Sequence, residues 1–182
     1  MSKHDLAASV RQKLLKEAQN QGRPFQELLQ YYAMERFLFR LSKYNHADLF
    51  VLKGALLMIA WQAPQSRPTV DIDLAARTSN ELDHIQQIII EVCSIAGEPD
   101  GIQFNPATIQ VTRIQEDAEY EGIRARFQET LSRAQIEMQI DVGLVLRPDS
   151  ARICQYLDPA SRSGMTACRL RFSFVQSDPP CS

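Results

Sequence analysis

The segment that decides the fold is "TVDIDLA", residues 69–75, which lies a few positions after "LFVLKGALLMIA", residues 49–60. Its alternation of apolar and acidic residues predicts a β-strand, because successive side chains of a strand point to opposite faces. Asp71 and Asp73 then share one face. The apolar residues that we expect to face the core are Val70, Ile72 and Leu74. Aspartate is a poor strand former, so a pair of aspartates in this strand indicates a chemical role.

The segment before this strand predicts a strand-to-helix junction at a glycine. "LFVLKG" is typical of a short strand, and "GALLMIAW" is typical of a buried helix that begins at Gly54. Free backbone N–H groups and the helix dipole at such a junction favour a bound phosphate. Lys53 adds a positive charge there, although a surface or buried lysine is equally consistent with the sequence.

Two helices are predicted ahead of this junction. The first covers residues 5–20, where apolar residues have helical spacing, and the second runs from Pro24 to about Leu41. One face of the second helix carries Phe25, Leu28, Leu29, Tyr32, Arg36 and Phe39. Such a pair is either a DNA-binding motif or a cap packed on the next domain. The absence of a basic recognition helix favours the cap.

The chain after "TVDIDLA" predicts one helix and three strands. Thr78 and Glu81 form a capping-box pattern, and the helix that they begin is expected to stop at Gly97. Its expected inward residues are Leu82, Ile85, Ile89, Val92 and Ala96. Period-two alternation then marks the strands "ATIQVTRI", "GIRARFQETL" and "QIEMQIDVGLVL". The last strand places Ile136, Met138, Ile140, Val142 and Leu144 opposite Glu137, Gln139, Asp141 and Gly143.

These elements predict an α+β fold. We expect a mixed β-sheet core with helices on one face, preceded by an N-terminal helical pair. The expected regions are a helical segment over residues 1–45, the sheet-containing core over 46–147, and an irregular tail over 148–182. The tail holds three of the four cysteines and four of the nine prolines, and it has no sustained periodicity.

The composition restricts the class of protein. The chain has 182 residues, of which 45% are hydrophobic and 23% charged, as in ordinary globular proteins. Its net charge of -2 gives no overall attraction for nucleic acid, so a polyanion must be bound by a local patch. Arg124 and Arg126, on one strand face, are either such a patch for RNA or simply solvated. No apolar run reaches the roughly 20 residues of a membrane helix. The start lacks a signal-peptide core, and the cysteines show no zinc or disulfide pattern, so we expect a cytoplasmic, reduced protein.

A third carboxylate, Asp141, lies on the polar face of the last strand. Residues two apart in a strand lie about 6.6 Å apart, and carboxylates that close repel unless a cation lies beside them. If the two strands are neighbours, Asp71, Asp73 and Asp141 can hold two Mg²⁺ ions about 4 Å apart, as in phosphoryl or nucleotidyl transfer. The alternative is that the aspartates are solvated on an exposed strand face.

The succession of "FVLKGALLMIAW", "RPTVDIDLAA" and "QIDVGLVL" resembles the nucleotidyltransferase AbiEii/AbiGii toxin family. The resemblance covers about Leu49 to Leu146. It implies a DNA polymerase beta-like nucleotidyltransferase fold in a toxin of a toxin–antitoxin or abortive-infection system, with a cognate antitoxin as partner. It also implies Mg²⁺-dependent transfer of a nucleoside monophosphate from an NTP to an acceptor, such as the end of a tRNA.

The resemblance assigns roles to six residues. Asp71 and Asp73 are implied to hold the metal ions, and Asp141 is implied to be the third carboxylate, which helps to activate the acceptor hydroxyl. The implied metal-binding and catalytic residues are therefore the same three aspartates. The implied nucleotide-binding residues are Lys53, Gly54 and Ala55.

The chain departs from the family in two places. Many members have a second glycine and a hydroxyl residue after the KG, where this chain has Ala55 and Leu56, so a hydroxyl contact to phosphate is lost. Members usually continue with a helix that carries a lysine, whereas no lysine follows Lys53 here. We therefore expect residues 148–182 to be a truncated or frame-shifted end. Two alternatives to an active transferase follow: an inactive remnant or antitoxin-binding module, and a metal-dependent nuclease.

Overall fold

The computed structural model describes residues 3–60, 68–97, 99–117 and 120–144. The elements in chain order are α1 (Lys3–Gln21), α2 (Phe25–Leu41), β1 (Phe50–Lys53), α3 (Gly54–Ala60), β2 (Asp71–Ala76), α4 (Leu82–Ser94), β3 (Ile102–Asp117), β4 (Tyr120–Leu131) and β5 (Ala134–Leu144). The predicted α+β class is confirmed. The tail predicted over residues 148–182 lies outside the described residues. Among the helices that the structure describes, none has the length and apolar character to span a bilayer.

The strands form one five-stranded sheet in the order β1-β2-β5-β4-β3. The β2–β5 pair is parallel, and the β1–β2, β4–β5 and β3–β4 pairs are antiparallel. The predicted mixed sheet is therefore confirmed. The parallel pair brings together two strands that are distant in sequence, and this pairing places "DIDL" beside "QIDVG".

One face of the sheet packs against the helices. Alternate residues of β2 and β5 are buried there, as the sequence pattern predicts: Ile72, Leu74, Ile136, Met138, Ile140, Val142 and Leu144. Leu14 of α1 and Leu29 and Phe37 of α2 belong to the same hydrophobic core. The expected packing of the helical pair against the sheet is thus confirmed. The opposite side of the sheet, called the polar face below, carries the alternating charged and polar residues.

The face of α2 that the sequence pattern marks is not the same as its buried side. Arg36 and Phe39 are only half-buried, whereas Phe37 and Arg40 are buried. The helix contacts α1, α4 and β5, so its buried arc is wider than the single stripe that the pattern suggested. Arg36 instead lies with its guanidinium over the rings of Tyr32 and Phe39.

Three expectations at element ends are wrong. Val70 precedes β2 and is 64% exposed, so it does not face the core. The capping box fails because α4 begins at Leu82, its N-cap residue Glu81 makes no side-chain cap bond, and Thr78 Oγ1 lies 2.8 Å from His84 Nε2. The helix ends at Ser94, ahead of the predicted Gly97, so Ala96 is exposed.

Candidate active site

Four charged residues form a row across the polar face. The strand register pairs Lys53 with Asp73, Asp73 with Asp141, and Asp141 with Arg124. Two acidic residues therefore occupy the centre of the sheet, on β2 and β5, with one cationic residue on each flank. This set is called the charge row below.

Asp71, two residues before Asp73, completes an acidic cluster. One carboxylate oxygen from each of Asp71, Asp73 and Asp141 lies within 4.8 Å of the others. Asp141 is buried, and the other two aspartates are half-buried. The expectation that the third carboxylate lies beside the first two is confirmed, because the parallel register sets Asp73 directly against Asp141.

Gly54 fits against Asp73 because it has no side chain. A Cβ at this position would lie 1.9 Å from Asp73 Oδ2, far inside any permitted contact. The backbone of Gly54 also has a φ of +70°, a conformation that residues with a side chain adopt only with strain. The junction of β1 and α3 thus requires glycine for two independent reasons, and the "KG" of the sequence follows from both.

Gly143 provides the equivalent space for Lys53. A Cβ on Gly143 would lie 2.8 Å from Lys53 Nζ, so the ammonium group lies over this glycine. Gly143 is two residues from Asp141 on the same strand and the same face. The D-x-G pattern therefore places an acidic group and a space for a lysine side by side.

Contacts with α2 and a threonine fix the entrance to β2. Thr69 Oγ1 donates a hydrogen bond of 2.9 Å to Asp71 Oδ1, and the Thr69 N–H donates one of 3.2 Å to the hydroxyl of Tyr31. Gln30 Nε2 donates to the carbonyl oxygens of Val70 and Glu137, at 3.3 and 2.9 Å. These bonds orient the Asp71 carboxylate. Sequence reasoning assigned no role to Thr69, although it belongs to the quoted motif.

Arg124 forms a two-pronged ion pair with Asp141. Its Nε and one terminal nitrogen donate to the two carboxylate oxygens of Asp141, at 2.7 and 2.6 Å. Arg126, two residues along the same strand, is exposed and donates to Gln139 at 3.0 Å. Arg124 is therefore ion-paired rather than simply solvated. Its signal in the sequence was only its position on the polar face of a strand next to β5.

The cluster has the chemistry of a site for a hard cation. Its three potential ligands are all carboxylates, and oxygen ligands suit Mg²⁺, Ca²⁺ and Mn²⁺, whereas zinc sites favour nitrogen and sulfur. Like charges at this separation also need a compensating positive charge. The residues present fit a divalent cation of this kind.

The comparison with protein families defines the class of the chain. A family model described as nucleotidyl transferase AbiEii toxin, type IV TA system, matches residues 36–172, a range that holds the charge row and all five strands. No curated protein and no solved structure matches the chain. The fold, the site and the family match together define a nucleotidyltransferase toxin of a type IV toxin–antitoxin system.

The chain belongs to the AbiEii nucleotidyl transferase toxin family. The resemblance seen in the sequence motifs is confirmed, and the match continues beyond Leu146, where the motifs ended, to residue 172. Membership implies a nucleotide substrate and an antitoxin partner.

Proposed function

We propose that this toxin transfers a nucleoside monophosphate from an NTP to an RNA acceptor, such as tRNA, in the cytoplasm and with Mg²⁺. The observation that carries the proposal is the convergence of three carboxylates beside the glycine junction and Lys53. An exposed, solvated strand would not require glycines at the two points where the acidic and basic side chains approach the backbone.

Asp71 and Asp73 are the residues that would hold the cation, with Asp141 as the third carboxylate. A bound divalent cation supplies charge neutralisation at the transferred phosphoryl group. The Thr69 hydroxyl and the Gly54 backbone keep Asp71 and Asp73 in place for this purpose. A carboxylate oxygen of Asp141 accepts the proton of the acceptor hydroxyl. The hydroxyl oxygen then attacks the α-phosphorus of the NTP, the bond from that phosphorus to the β-phosphate oxygen breaks, and pyrophosphate leaves.

Lys53, Gly54 and Ala55 bind the triphosphate in this proposal. Lys53 is the last lysine in the sequence, and its ammonium group lies beside the acidic cluster, where it can meet a phosphate oxygen. Glycine at position 54 also lets a phosphate approach the backbone closely.

The experiment follows a label from the α-phosphate of each NTP into tRNA or total RNA. Wild-type protein should label RNA only with a divalent cation, and Asp73→Asn should abolish the labelling. Glu137→Gln is the matched control, because Glu137 is an exposed carboxylate on the same face of β5 and lies outside the cluster. RNA labelling by Asp73→Asn at the wild-type rate would contradict the proposal.

The same experiment separates the two alternatives. Cation-dependent cleavage of RNA without added NTP would indicate a nuclease built on the same aspartates. A folded protein that binds its antitoxin but neither labels nor cleaves RNA would indicate a non-catalytic binding module.

A further inference from the structure

The ion pair between Arg124 and Asp141 occupies both oxygens of the third carboxylate. The guanidinium donates one hydrogen bond to each oxygen, and Gln139 Nε2 lies 3.4 Å from Oδ2. The Asp141 side chain is 8% exposed, and that of Arg124 is 28% exposed. The carboxylate is thus enclosed, while its cationic partner is on the accessible side.

A guanidinium in this position neutralises the charge of the carboxylate, as a bound metal ion would. Charge-assisted, two-pronged bonds to a carboxylate are among the stronger hydrogen bonds in proteins. Low solvent exposure strengthens the attraction further, because water screens it less. A divalent cation that binds Asp141 must compete with this guanidinium for the same two oxygens.

The charge row also holds a second side-chain cation, Lys53, which is paired in register with Asp73. Lys53 lies over Gly143 on the other side of the cluster, whereas Asp71 accepts a neutral hydrogen bond from Thr69. The three carboxylates are flanked by two side-chain cations, so a negative charge remains in excess.

We propose that Arg124 is a positioning residue that serves as an internal counter-cation, holding Asp141 in the cation-free toxin and opposing divalent-cation binding there until it is displaced. This inference rests on the proposed function, since it concerns the same carboxylates. It assigns the toxin a resting form in which the proton-accepting group of the reaction is neutralised by the protein itself. Binding of the divalent cation and release of Asp141 from Arg124 are then the same event.

The test measures Mn²⁺ binding to the full chain, by the electron paramagnetic resonance signal of the free ion. Arg124→Met should bind Mn²⁺ about tenfold more tightly than wild type, the order expected when a charge-assisted competitor is removed. Arg124→Lys keeps the charge but loses the two-pronged geometry, so its affinity should lie between the two. Arg126→Met is the matched control, and its affinity should equal that of wild type.

A second background isolates the pair. In Asp141→Asn, the substitution Arg124→Met should no longer raise Mn²⁺ affinity, because the carboxylate for which the two cations compete is gone. Thermal unfolding gives an independent readout: Arg124→Met should unfold at a lower temperature than wild type without Mn²⁺ and recover with it. A purely structural role for Arg124 predicts lower stability under both conditions and weaker Mn²⁺ binding.

The outcomes separate this inference from the proposed function. If wild type binds Mn²⁺ through Asp73 but Arg124→Met binds no more tightly, the counter-cation role is wrong and the cation site stands. If neither protein binds Mn²⁺, both proposals are wrong. Binding by Arg124→Met alone would support the inference in its strongest form.

Discussion

Two groups of arginine and carboxylate side chains in this molecule have similar members and different surroundings. On the polar face, Arg124 pairs with Asp141 beside two further aspartates. Inside the hydrophobic core, Arg40 donates a hydrogen bond of 2.8 Å to Asp100, and both side chains are less than a tenth exposed. Each group contains more carboxylates than arginines, and the two groups neutralise the excess negative charge in different ways.

The core group neutralises its excess with a proton. Glu129 lies on the core-facing side of β4 and is 0% exposed, and neither of its carboxylate oxygens has a hydrogen-bond partner among the described residues. Burial raises the pKa of Glu129 to about 8, so this carboxyl group is protonated at neutral pH. Asp100 is satisfied by Arg40 and by the backbone N–H of Ile102.

The polar-face group neutralises its excess with cations instead. Lys53 and Arg124 flank the aspartates, and glycines at positions 54 and 143 leave space for close approach. A surplus carboxylate inside the hydrophobic core thus becomes neutral, whereas a cluster on the polar face has cationic side chains beside it and can recruit an external ion. We expect only the polar-face group to respond to divalent cations.

The largest expected effect is on the space beside Asp73. In Gly54→Ala the new Cβ would collide with the Asp73 carboxylate, so Mn²⁺ binding should be lost and RNA labelling should fall by on the order of 100-fold. Gly22→Ala is the control, because Gly22 has a similar φ of +63° but nothing within 4 Å of its Cβ position. Undiminished Mn²⁺ binding by Gly54→Ala would show that the space beside Asp73 is not needed for cation binding.

Removal of Arg40 should destabilise the protein more than removal of Arg124. Arg40→Met leaves Asp100 charged and enclosed, and should lower the free energy of unfolding by about 3–5 kcal/mol. Arg124→Met should cost less, because the lost guanidinium is more exposed to water. Urea unfolding of both variants without divalent cations measures the difference. Equal losses would mean that the two environments are not distinct.

The pH dependence of stability should come from the core group. The folded protein holds a proton on Glu129 between its ordinary pKa of 4.5 and its raised pKa of about 8, whereas the unfolded chain does not. Glu129 therefore makes stability fall as pH rises through this window, and the loss is complete above about 8. Glu129→Gln should flatten the slope in urea unfolding between these pH values. Glu137→Gln, exposed on the neighbouring strand, should retain it.

The smallest expected effect concerns the space over Gly143. In Gly143→Ala the one contact shorter than 3.4 Å is with the flexible end of Lys53, and the Leu74 carbonyl oxygen lies at an ordinary 3.8 Å. The loss of stability should therefore stay below about 1 kcal/mol. RNA labelling should nevertheless fall by about tenfold, because a displaced ammonium no longer meets the phosphate. Gly97→Ala, which places a Cβ in ordinary contact with Phe39, should change neither quantity. A labelling rate equal to wild type in Gly143→Ala would argue against a role for Lys53.

Local pattern was enough to predict the strands and the three aspartates. Alternation assigned Asp71, Asp73 and Asp141 to polar faces, and the β2–β5 pairing then brought them together. The partner of Arg124 could not be predicted, because it depends on the register of the β4–β5 hairpin. A change of two positions in that register would set Arg126 against Asp141 instead.

The burial of charged residues was the second feature that the sequence pattern could not predict. Alternation in β4 puts Glu129 on the same face as Ile123 and Phe127, but the pattern cannot show that helices cover this end of the strand. Arg40 was missed for a similar reason, because the buried side of α2 extends beyond one stripe. Both positions are fixed by contacts between elements that are distant in sequence.

The parallel pairing of β2 and β5 also determines when the three aspartates come together during synthesis of the chain. A ribosome makes Asp71 and Asp73 well before Asp141, and β5 must then pair with β2 to complete the sheet. Pairings between distant segments form late, because a long loop must be closed first. A nascent chain that has made its DIDL motif but not β5 therefore lacks the third carboxylate of the cluster. The acidic cluster is complete only once β5 has paired with β2.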